Sequence, residues 1–254
     1  MALLTDKVAF ITGAGAGIGE ATAHRFAADE ASLWLNDRDP DALHAIIDAI
    51  RGTGGAAHGL AGDASDSAFV NEWVDAGVAQ YGRVDALYCN VGLSRTGLLG
   101  DTSDADWRFQ QRLTLDSVFF ATRAVLAPMV KAGSGSIVAM SSGAGMGGQY
   151  NLGGYAAAKA GVISLMETVA TEYGPHGIRA NAVTPGPTAT APLLAYLEEK
   201  DGGVDAHVAD LNLARLTQPE EVAATVAWLA SDESSSISGI CVRSNIRAAS
   251  RRPK

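Results

Sequence analysis

The sequence predicts a doubly wound α/β fold, in which a parallel sheet of about seven strands carries helices on both faces. Short β-branched runs alternate with longer helical patterns, which is typical of βαβ units. The 29 glycines fall mostly at the ends of the short runs, where the backbone must turn tightly. No linker or charge block divides the 254 residues, so we expect a single domain over residues 1–254.

The elements follow one another regularly from the start of the chain. Each predicted strand precedes a predicted helix, in the pairs KVAFITG and EATAHRFAADE, SLWLND and PDALHAIIDAIRG, DALYCNVG and residues 104–132, and GSIVAMSS and residues 155–173. Asp39 before Pro40, and Pro219 before two glutamates, are signals of helix N-termini. The pattern loosens over about residues 187–215 before PEEVAATVAWLAS restores it. This insertion is a candidate lid over a ligand crevice, although a surface helix pair without a binding role fits equally well.

Composition excludes several classes of function. A formal net charge of −9 argues against binding to nucleic acid or to anionic membranes, both of which need a basic face. The chain has two cysteines, Cys89 and Cys241, which are too few to build a disulfide framework. We expect both to pack as small apolar residues without binding metal. The N-terminus shows no leader pattern and no apolar run is long enough to span a bilayer, so we expect a cytoplasmic protein.

A glycine-rich turn, TGAGAGIGE, joins the first strand to the first helix. The spacing T-G-x-x-x-G-x-G fits through Gly13, Gly17 and Gly19, with Ile18 between the last two, whereas G-x-G-x-x-G does not fit. Such a turn directs backbone N–H groups and a helix N-terminus at a phosphate. A purely structural turn is the alternative.

Two aspartates follow later strands. Asp37 lies about 20 residues after the turn, where a carboxylate accepts hydrogen bonds from a ribose diol and repels a 2′-phosphate. We therefore expect NAD as the cofactor instead of NADP, although Arg38 is adjacent. Asp63 is a candidate acceptor for the adenine amino group, or an ordinary strand-end or N-cap aspartate.

Tyr155 and Lys159 lie one helical turn apart in GGYAAAKAG, so both can point into one site. Lowering a tyrosine pKa from about 10 by ~3 units takes roughly 4 kcal/mol. One ammonium at ~4 Å, at an effective dielectric constant of ~20, supplies about that much. Ser142, at the end of a strand, can place a hydroxyl beside the phenol.

Together these motifs resemble the short-chain dehydrogenase/reductase family. The resemblance covers Lys7 to about Gly239 and rests on TGAGAGIG, Asp37, Asp63, CNVG, Ser142, YAAAK and PGPTAT in the family's order. It implies a Rossmann-type sheet and nicotinamide-dependent hydride transfer at a carbinol or carbonyl carbon. In that mechanism Tyr155 is the general base in oxidation and the acid in reduction, Ser142 holds the substrate oxygen, and Lys159 lowers the tyrosine pKa and binds the nicotinamide ribose.

The resemblance also assigns further cofactor residues. Asn90, in CNVG, is similar to the residue that steadies the central strand and lines the adenosine side. The turn that meets the carboxamide and pyrophosphate corresponds to Pro185, Gly186, Thr188 and Thr190.

The sequence departs from the family pattern at three places. Thr114 replaces the asparagine that, in the family, kinks the helix and holds a water in the proton relay, so we predict a slower enzyme. Cys89 replaces a second asparagine. Ile240–Val242 can begin the last strand, but residues 243–254 form an atypical basic tail containing Arg243, Arg247, Arg251 and Arg252. A disordered end is the simplest interpretation of this tail.

The expected substrate is a neutral secondary alcohol or ketone. The positions expected near it are neutral and of mixed polarity: Ser94, Ser142, Met146, Gln149, Tyr150, Asn151, Tyr155 and Leu193. Because Arg95 is adjacent to Ser94, an arginine that binds a substrate carboxylate is an open alternative. An NAD(H)-binding sensor or structural subunit, and a non-redox epimerase or dehydratase, are the alternatives. Two predicted helices carry further apolar residues, Phe119, Phe120 and Met166, that we expect to face a partner subunit. The family resemblance implies a homodimer or homotetramer through these two helices, with a monomer as the alternative.

Overall fold

The structure is a computed structural model that describes residues 2–245, in which seven strands form one sheet. The strands are β1 (Val8–Thr12), β2 (Ser32–Asn36), β3 (Ala56–Gly59), β4 (Ala86–Cys89), β5 (Gly135–Met140), β6 (Ile178–Pro185) and β7 (Cys241–Ser244). They pair in parallel in the order β3-β2-β1-β4-β5-β6-β7, which confirms the doubly wound fold. The order reverses between β1 and β4, and ligands bind at the carboxyl ends of strands at such a switch point.

Helices cover both faces of the sheet. They are α1 (Gly17–Ala28), α2 (Pro40–Gly52), α3 (Ser67–Tyr81), α4 (Asp104–Gln111), α5 (Ser117–Ala132), α6 (Gly153–Tyr173), α7 (Ala191–Glu198), α8 (Gly203–Val208) and α9 (Pro219–Ala230). On one face, α1, α2 and α9 bury residues such as Phe26, Ile47 and Val226 against the strands. On the other, α3, α5 and α6 bury Trp73 and Val125. This two-sided burial explains why the strands are almost continuously apolar.

Local signals place the helix starts where the sequence predicts them. The Asp39 carboxylate accepts hydrogen bonds from the N–H groups of Asp41 and Ala42, and Pro40 occupies the first position of α2. The α9 helix begins at Pro219. These capping contacts fix where the chain leaves each loop.

The structure shows the environments of Met166 and Cys89, for which the sequence predicts a subunit interface and a packed core position, respectively. Met166 is fully buried against the sheet, so the prediction that it faces a partner is wrong: it lies on the same face of α6 as the buried Val162 and Val169. Cys89 is buried in the core, and burial raises the pKa of its thiol to about 12, as expected of a packing residue.

The segment over residues 187–215 contains α7 and α8. Its helices enclose a small apolar cluster of their own, formed by Leu197, Val208, Leu211 and Leu216. The segment leaves β6 at the carboxyl edge of the sheet, and its role as a lid remains a prediction.

The last strand forms despite the unusual sequence that follows it. The predicted strand start at Ile240–Val242 is confirmed, because β7 pairs with β6 from Cys241 onward. Asn245 fixes the end of the strand by donating from Nδ2 to the Arg215 carbonyl at 2.7 Å. Arg243 lies in β7, whereas the other arginines predicted in the basic tail, Arg247, Arg251 and Arg252, lie outside the described residues.

Among the described residues, one helical stretch, Asp104–Ala132, is long and apolar enough by length and composition to span a membrane, which differs from the expectation that no apolar run is long enough. Its α5 part packs one face against the sheet and against α3.

Candidate active site

The glycine turn is shaped so that side chains other than hydrogen do not fit. Gly13 and Gly17 have φ angles of +66° and +59°, in the left-handed region that favours glycine. A Cβ at Gly19 would lie 1.8 Å from the Gly13 carbonyl oxygen. Ala16, at the N-cap of α1, provides no side-chain acceptor, so the first N–H groups of this helix are available to an anion.

Asn90 holds this turn against the neighbouring strand. Its Nδ2 donates to the Gly13 carbonyl at 3.0 Å, and its backbone N–H donates to Thr12 Oγ1 at 3.2 Å. The Tyr88 hydroxyl donates to Asn90 Oδ1 at 3.2 Å. The side chain therefore couples β4 to the glycine turn.

Asp37 faces the glycine turn from the end of β2. Its Oδ2 accepts a hydrogen bond from the Gly15 N–H at 2.8 Å, and its Oδ1 accepts one from the Asp39 N–H at 3.0 Å. The carboxylate is half-buried, and Arg38 beside it is exposed. A fixed anion at this point can accept hydrogen bonds from a ribose diol.

Asp63 lies on the same edge of the sheet. Its Oδ1 accepts hydrogen bonds from the Ser65 N–H and hydroxyl at 2.8 and 2.6 Å, and its Oδ2 accepts one from Arg112 at 3.1 Å. The N-cap of α3 is Asp66. Asp63 is therefore not the cap of that helix.

The turn after β6 contacts the glycine turn directly. A Cβ at Gly17 would lie 3.2 Å from Cγ2 of Thr190, just before α7. The Gly186 N–H donates to the Ser244 carbonyl at 2.7 Å, and the buried Thr188 donates from its hydroxyl to the Gly186 carbonyl at 3.1 Å. Pro185 ends β6 immediately before this turn.

Ser142, Tyr155 and Lys159 meet beyond the carboxyl end of β5. The Ser142 hydroxyl oxygen accepts a hydrogen bond from the Ala144 N–H at 3.2 Å, which leaves its proton free to be donated. Lys159 is buried, and its Nζ lies 5.7 Å from the Tyr155 ring centroid. Its Nζ donates to the Met140 carbonyl at 2.6 Å, which ties the lysine side chain to the end of β5.

The pKa values of the pair differ from the sequence-based expectation. Burial raises the pKa of the Tyr155 phenol, although a hydrogen bond with Ser142 works in the opposite direction. Burial also lowers the pKa of Lys159 from 10.5 to about 7, so at neutral pH this side chain is only partly charged. In this structure burial therefore outweighs the lysine field that the helical spacing predicts.

Thr114 lies in a π-helical turn, Arg112–Asp116, that interrupts the helix between α4 and α5. It is completely buried, and its Oγ1 has no hydrogen-bond partner among residues 2–245. A Cβ at Gly92 would lie 2.9 Å from Lys159 Nζ and 3.7 Å from Thr114 Cγ2, so both side chains approach the same glycine. A helix distortion is thus present although the asparagine is absent.

The predicted substrate positions lie around two neighbouring loops. Residues 93–99 approach residues 149–152 through a bridge between Gly97 and Leu152, and the Gly97 N–H donates to the Asn151 carbonyl at 2.9 Å. Ser94 and Tyr150 are exposed, whereas Gln149 is half-buried. Met146 Sδ lies 3.8 Å from Cys241 Sγ.

Two of the side chains considered near the substrate are engaged elsewhere. Leu193 packs against the small apolar cluster of α7 and α8. Arg95 forms an ion pair with Asp106 and stacks its guanidinium 3.9 Å above the Phe109 ring. The carboxylate clamp left open for Arg95 is therefore not formed in this structure.

Sequence reasoning did not single out Arg112. It occupies the first position of the π turn and contacts Asp63, 49 residues earlier in the chain. No local pattern marks this contact, because it depends on the packing of α5 beside α3. Residues 2–245 contain no cluster of three or more His, Cys, Asp or Glu side chains placed to hold a metal ion.

Comparisons with known proteins agree with this geometry. A family model described as enoyl-(acyl carrier protein) reductase matches residues 13–244. The 3-oxoacyl-[acyl-carrier-protein] reductase FabG of Thermotoga maritima is 37% identical over 236 residues, covering 93% of this chain and 95% of the relative. Cyclohexanol dehydrogenase of an Acinetobacter species is 36% identical, covering 92% and 91%. A solved structure from Beutenbergia cavernae, with bound NADP at low occupancy, is 30% identical with a TM-score of 0.89, covering 94% and 95%.

The fold, the glycine turn and these relatives define the chain as an oxidoreductase that uses a nicotinamide cofactor. It belongs to the short-chain dehydrogenase/reductase family.

Proposed function

We propose that the protein is a NAD(H)-dependent dehydrogenase/reductase that interconverts a neutral secondary alcohol and its ketone, with Tyr155 as general acid and base. The observation that carries this proposal is the convergence of Ser142, Tyr155 and Lys159 beyond β5, on the same edge of the sheet as the glycine turn. Binding alone does not require a serine hydroxyl beside a tyrosine phenol.

The residues around the glycine turn fit a dinucleotide. The absence of side chains at Gly13, Gly17 and Gly19 leaves room for a pyrophosphate to approach the backbone, and a substituent at Gly19 would collide with the turn itself. Asp37 supports NAD as the cofactor, because its carboxylate would repel a 2′-phosphate. The exposed Arg38 and the NADP bound to a relative are the observations against this preference.

A nicotinamide cofactor held by the glycine turn would supply the hydride chemistry, in either direction, between the carbinol and the carbonyl carbon of the substrate. The protein's own residues move the proton. In oxidation Tyr155 takes the proton of the substrate hydroxyl, while the Ser142 hydroxyl donates a hydrogen bond to the substrate oxygen. Lys159, fixed by the Met140 carbonyl, stabilises the phenolate in proportion to its own charge.

A neutral substrate fits the surroundings of this site. Arg95 is already paired with Asp106, so it is not free to hold a substrate carboxylate. The loops beside the start of α6 instead expose apolar side chains, including Leu98 and Leu99, and Leu99 packs on Gly153. Cyclic secondary alcohols and acyl-chain ketones, the kinds of compound named for two relatives, both match this character.

We further propose that the protein is cytoplasmic and forms a homodimer or homotetramer through α5 and α6. Phe119 on α5 is 40% exposed and its ring lies 5.7 Å from that of Phe120, so this helix presents an exposed aromatic side chain that a second copy could cover.

A fluorescence titration with NADH and, separately, NADPH tests the proposed cofactor. We expect tighter binding of NADH, and we expect Asp37→Asn to reduce this preference because the repelling charge is removed while an amide oxygen remains for the Gly15 N–H. Asp41→Asn, a charge change nearby on α2, is the matched control and should leave the preference unchanged. A preference of the unaltered protein for NADPH would contradict the proposed role of Asp37.

A further inference from the structure

Arg112 makes a charged contact between two parts of the chain that are far apart in sequence. Its Nη1 donates to Asp63 Oδ2 at 3.1 Å and to Ser65 Oγ at 2.5 Å. The side chains of Arg112 and Asp63 are both 48% exposed, so the pair lies at the surface and not in the core. Exposed ion pairs contribute little to stability, so stability alone does not explain why Arg112 and Asp63 are paired.

The loop that carries Asp63 is held in place without Arg112. Asn36 Nδ2 donates to the carbonyls of Leu60 and Gly62 at 3.2 and 3.0 Å, and the Gly62 N–H donates to the Asp37 carbonyl at 2.9 Å. These bonds tie the loop to the end of β2. Arg112 therefore fixes the orientation of the Asp63 side chain and is not needed to hold the backbone of the loop.

The hydrogen bonds to Asp63 do not use all the lone pairs of its carboxylate. An ionised carboxylate has about four lone-pair positions. Among residues 2–245, Ser65 uses two of them on Oδ1 and Arg112 uses one on Oδ2, so one acceptor position on Oδ2 remains. Burial raises the pKa of Asp63, but the hydrogen bonds from Ser65 and Arg112 outweigh it and hold that pKa below its ordinary value. The carboxylate is thus ionised, fixed on both oxygens, and able to accept one more N–H.

We propose that Arg112 is a positioning residue for the adenine end of the cofactor: it fixes Asp63 so that the remaining acceptor on Oδ2 receives an exocyclic amino group. This inference rests on the proposed binding of NAD(H). Arg112 acts through Asp63, and it is distinct from Thr114, which lies two residues further along the same π turn, on the side of Lys159.

The test compares two ligands that differ at the adenine end. Arg112→Met keeps the length of the side chain and removes its donors. We expect its Kd for NADH, from fluorescence titration, to rise about three- to tenfold through a weakened hydrogen bond to a charged acceptor. The Kd for reduced nicotinamide mononucleotide, which lacks adenosine, should not change, and Arg112→Lys should recover part of the NADH affinity. Arg108→Met is the matched control and should leave both Kd values unchanged, because Arg108 is an exposed arginine of α4 whose ion pair, within residues 2–245, is with Asp104.

A double-mutant cycle with Asp63→Ala, which removes both carboxylate oxygens, separates positioning from a general effect on folding. If Arg112 acts through Asp63, adding Arg112→Met to Asp63→Ala should weaken NADH binding no further. Equal weakening for both ligands, full additivity in the cycle, or an unchanged NADH affinity in Arg112→Met would each overturn the inference. Failure of the unaltered protein to bind NADH would instead overturn the proposed function itself.

Discussion

Replacing Gly19 by alanine is expected to damage the cofactor turn by a steric overlap that the structure measures. The new Cβ would lie 1.8 Å from the Gly13 carbonyl oxygen and 2.8 Å from Asn90 Nδ2. Contacts between non-bonded heavy atoms are optimal at about 3.5–4.0 Å, so the overlap with the carbonyl is roughly 2 Å. Gly13 O belongs to the backbone and is held by Asn90 at 3.0 Å, so a change of rotamer cannot relieve the overlap.

The expected magnitude follows from two opposing effects. Overpacking costs about 1–3 kcal/mol, and an overlap with fixed backbone belongs to the upper part of that range, about 2–3 kcal/mol. Alanine gains about 1 kcal/mol over glycine within a helix, which leaves a loss of about 1–2 kcal/mol. At about 2–4 °C per kcal/mol, the Tm of Gly19→Ala should fall by roughly 2–8 °C. NADH affinity should fall at least about tenfold, because the displaced turn no longer presents its N–H groups to a phosphate.

Thermal denaturation and NADH titration measure these two effects, with Gly52→Ala as the control. A Cβ at Gly52, the last residue of α2, would meet nothing within 4 Å. Its Tm and NADH affinity should therefore equal those of the unaltered protein or, for Tm, slightly exceed them. The reasoning is refuted if Gly19→Ala retains both the Tm and the NADH affinity of Gly52→Ala.

Three further predictions concern the proton-transfer residues. Thr114→Asn should raise turnover, because an amide supplies separate donor and acceptor groups in place of a hydroxyl that has no hydrogen-bond partner among the described residues. Unchanged turnover under steady-state conditions would contradict a weakened relay. Since burial raises the Tyr155 pKa, the rate of alcohol oxidation should increase with pH. Ser142→Ala should move this pH–rate profile to higher pH, because it removes a hydrogen bond that lowers the Tyr155 pKa. A profile that does not move would contradict Tyr155 as the general base. Burial lowers the Lys159 pKa from 10.5 to about 7, so between these pH values the unfolded chain binds more protons than the folded protein and the free energy of unfolding should rise with pH. Lys159→Met should remove this rise, as measured by denaturant titrations at several pH values. An identical pH dependence in both proteins would contradict the prediction.

The fold could be predicted because its signals are local. The alternation of strands and helices, the cap at Asp39 and the glycine spacing each depend on a few adjacent residues, and the sheet order and helix starts agree with them. The glycine turn, Asp37 and the pair Tyr155 and Lys159 meet at one edge because parallel strands bring their carboxyl ends together.

The remainder depends on packing that the sequence does not display. Whether Met166 faces a partner or the sheet is decided by the rotation of α6, and the charge of Lys159 is decided by how completely the helix buries it. Arg95 and Arg112 are both arginines near the crevice, but only three-dimensional contacts pair one with Asp106 and the other with Asp63. Such long-range pairings have no periodic signal.

The central claim is that Tyr155 catalyses NAD-linked oxidation of a neutral secondary alcohol, and cofactor turnover tests it most directly. The measurement is the formation of NADH, followed by its absorbance, when the protein and NAD are mixed with a panel of cyclic and acyclic secondary alcohols. The account predicts NADH formation in proportion to the ketone produced, and a loss of at least about 100-fold in Tyr155→Phe with unchanged NADH affinity. Equal rates in Tyr155→Phe, or conversion of substrate at a fixed ratio of NAD to NADH, would contradict it.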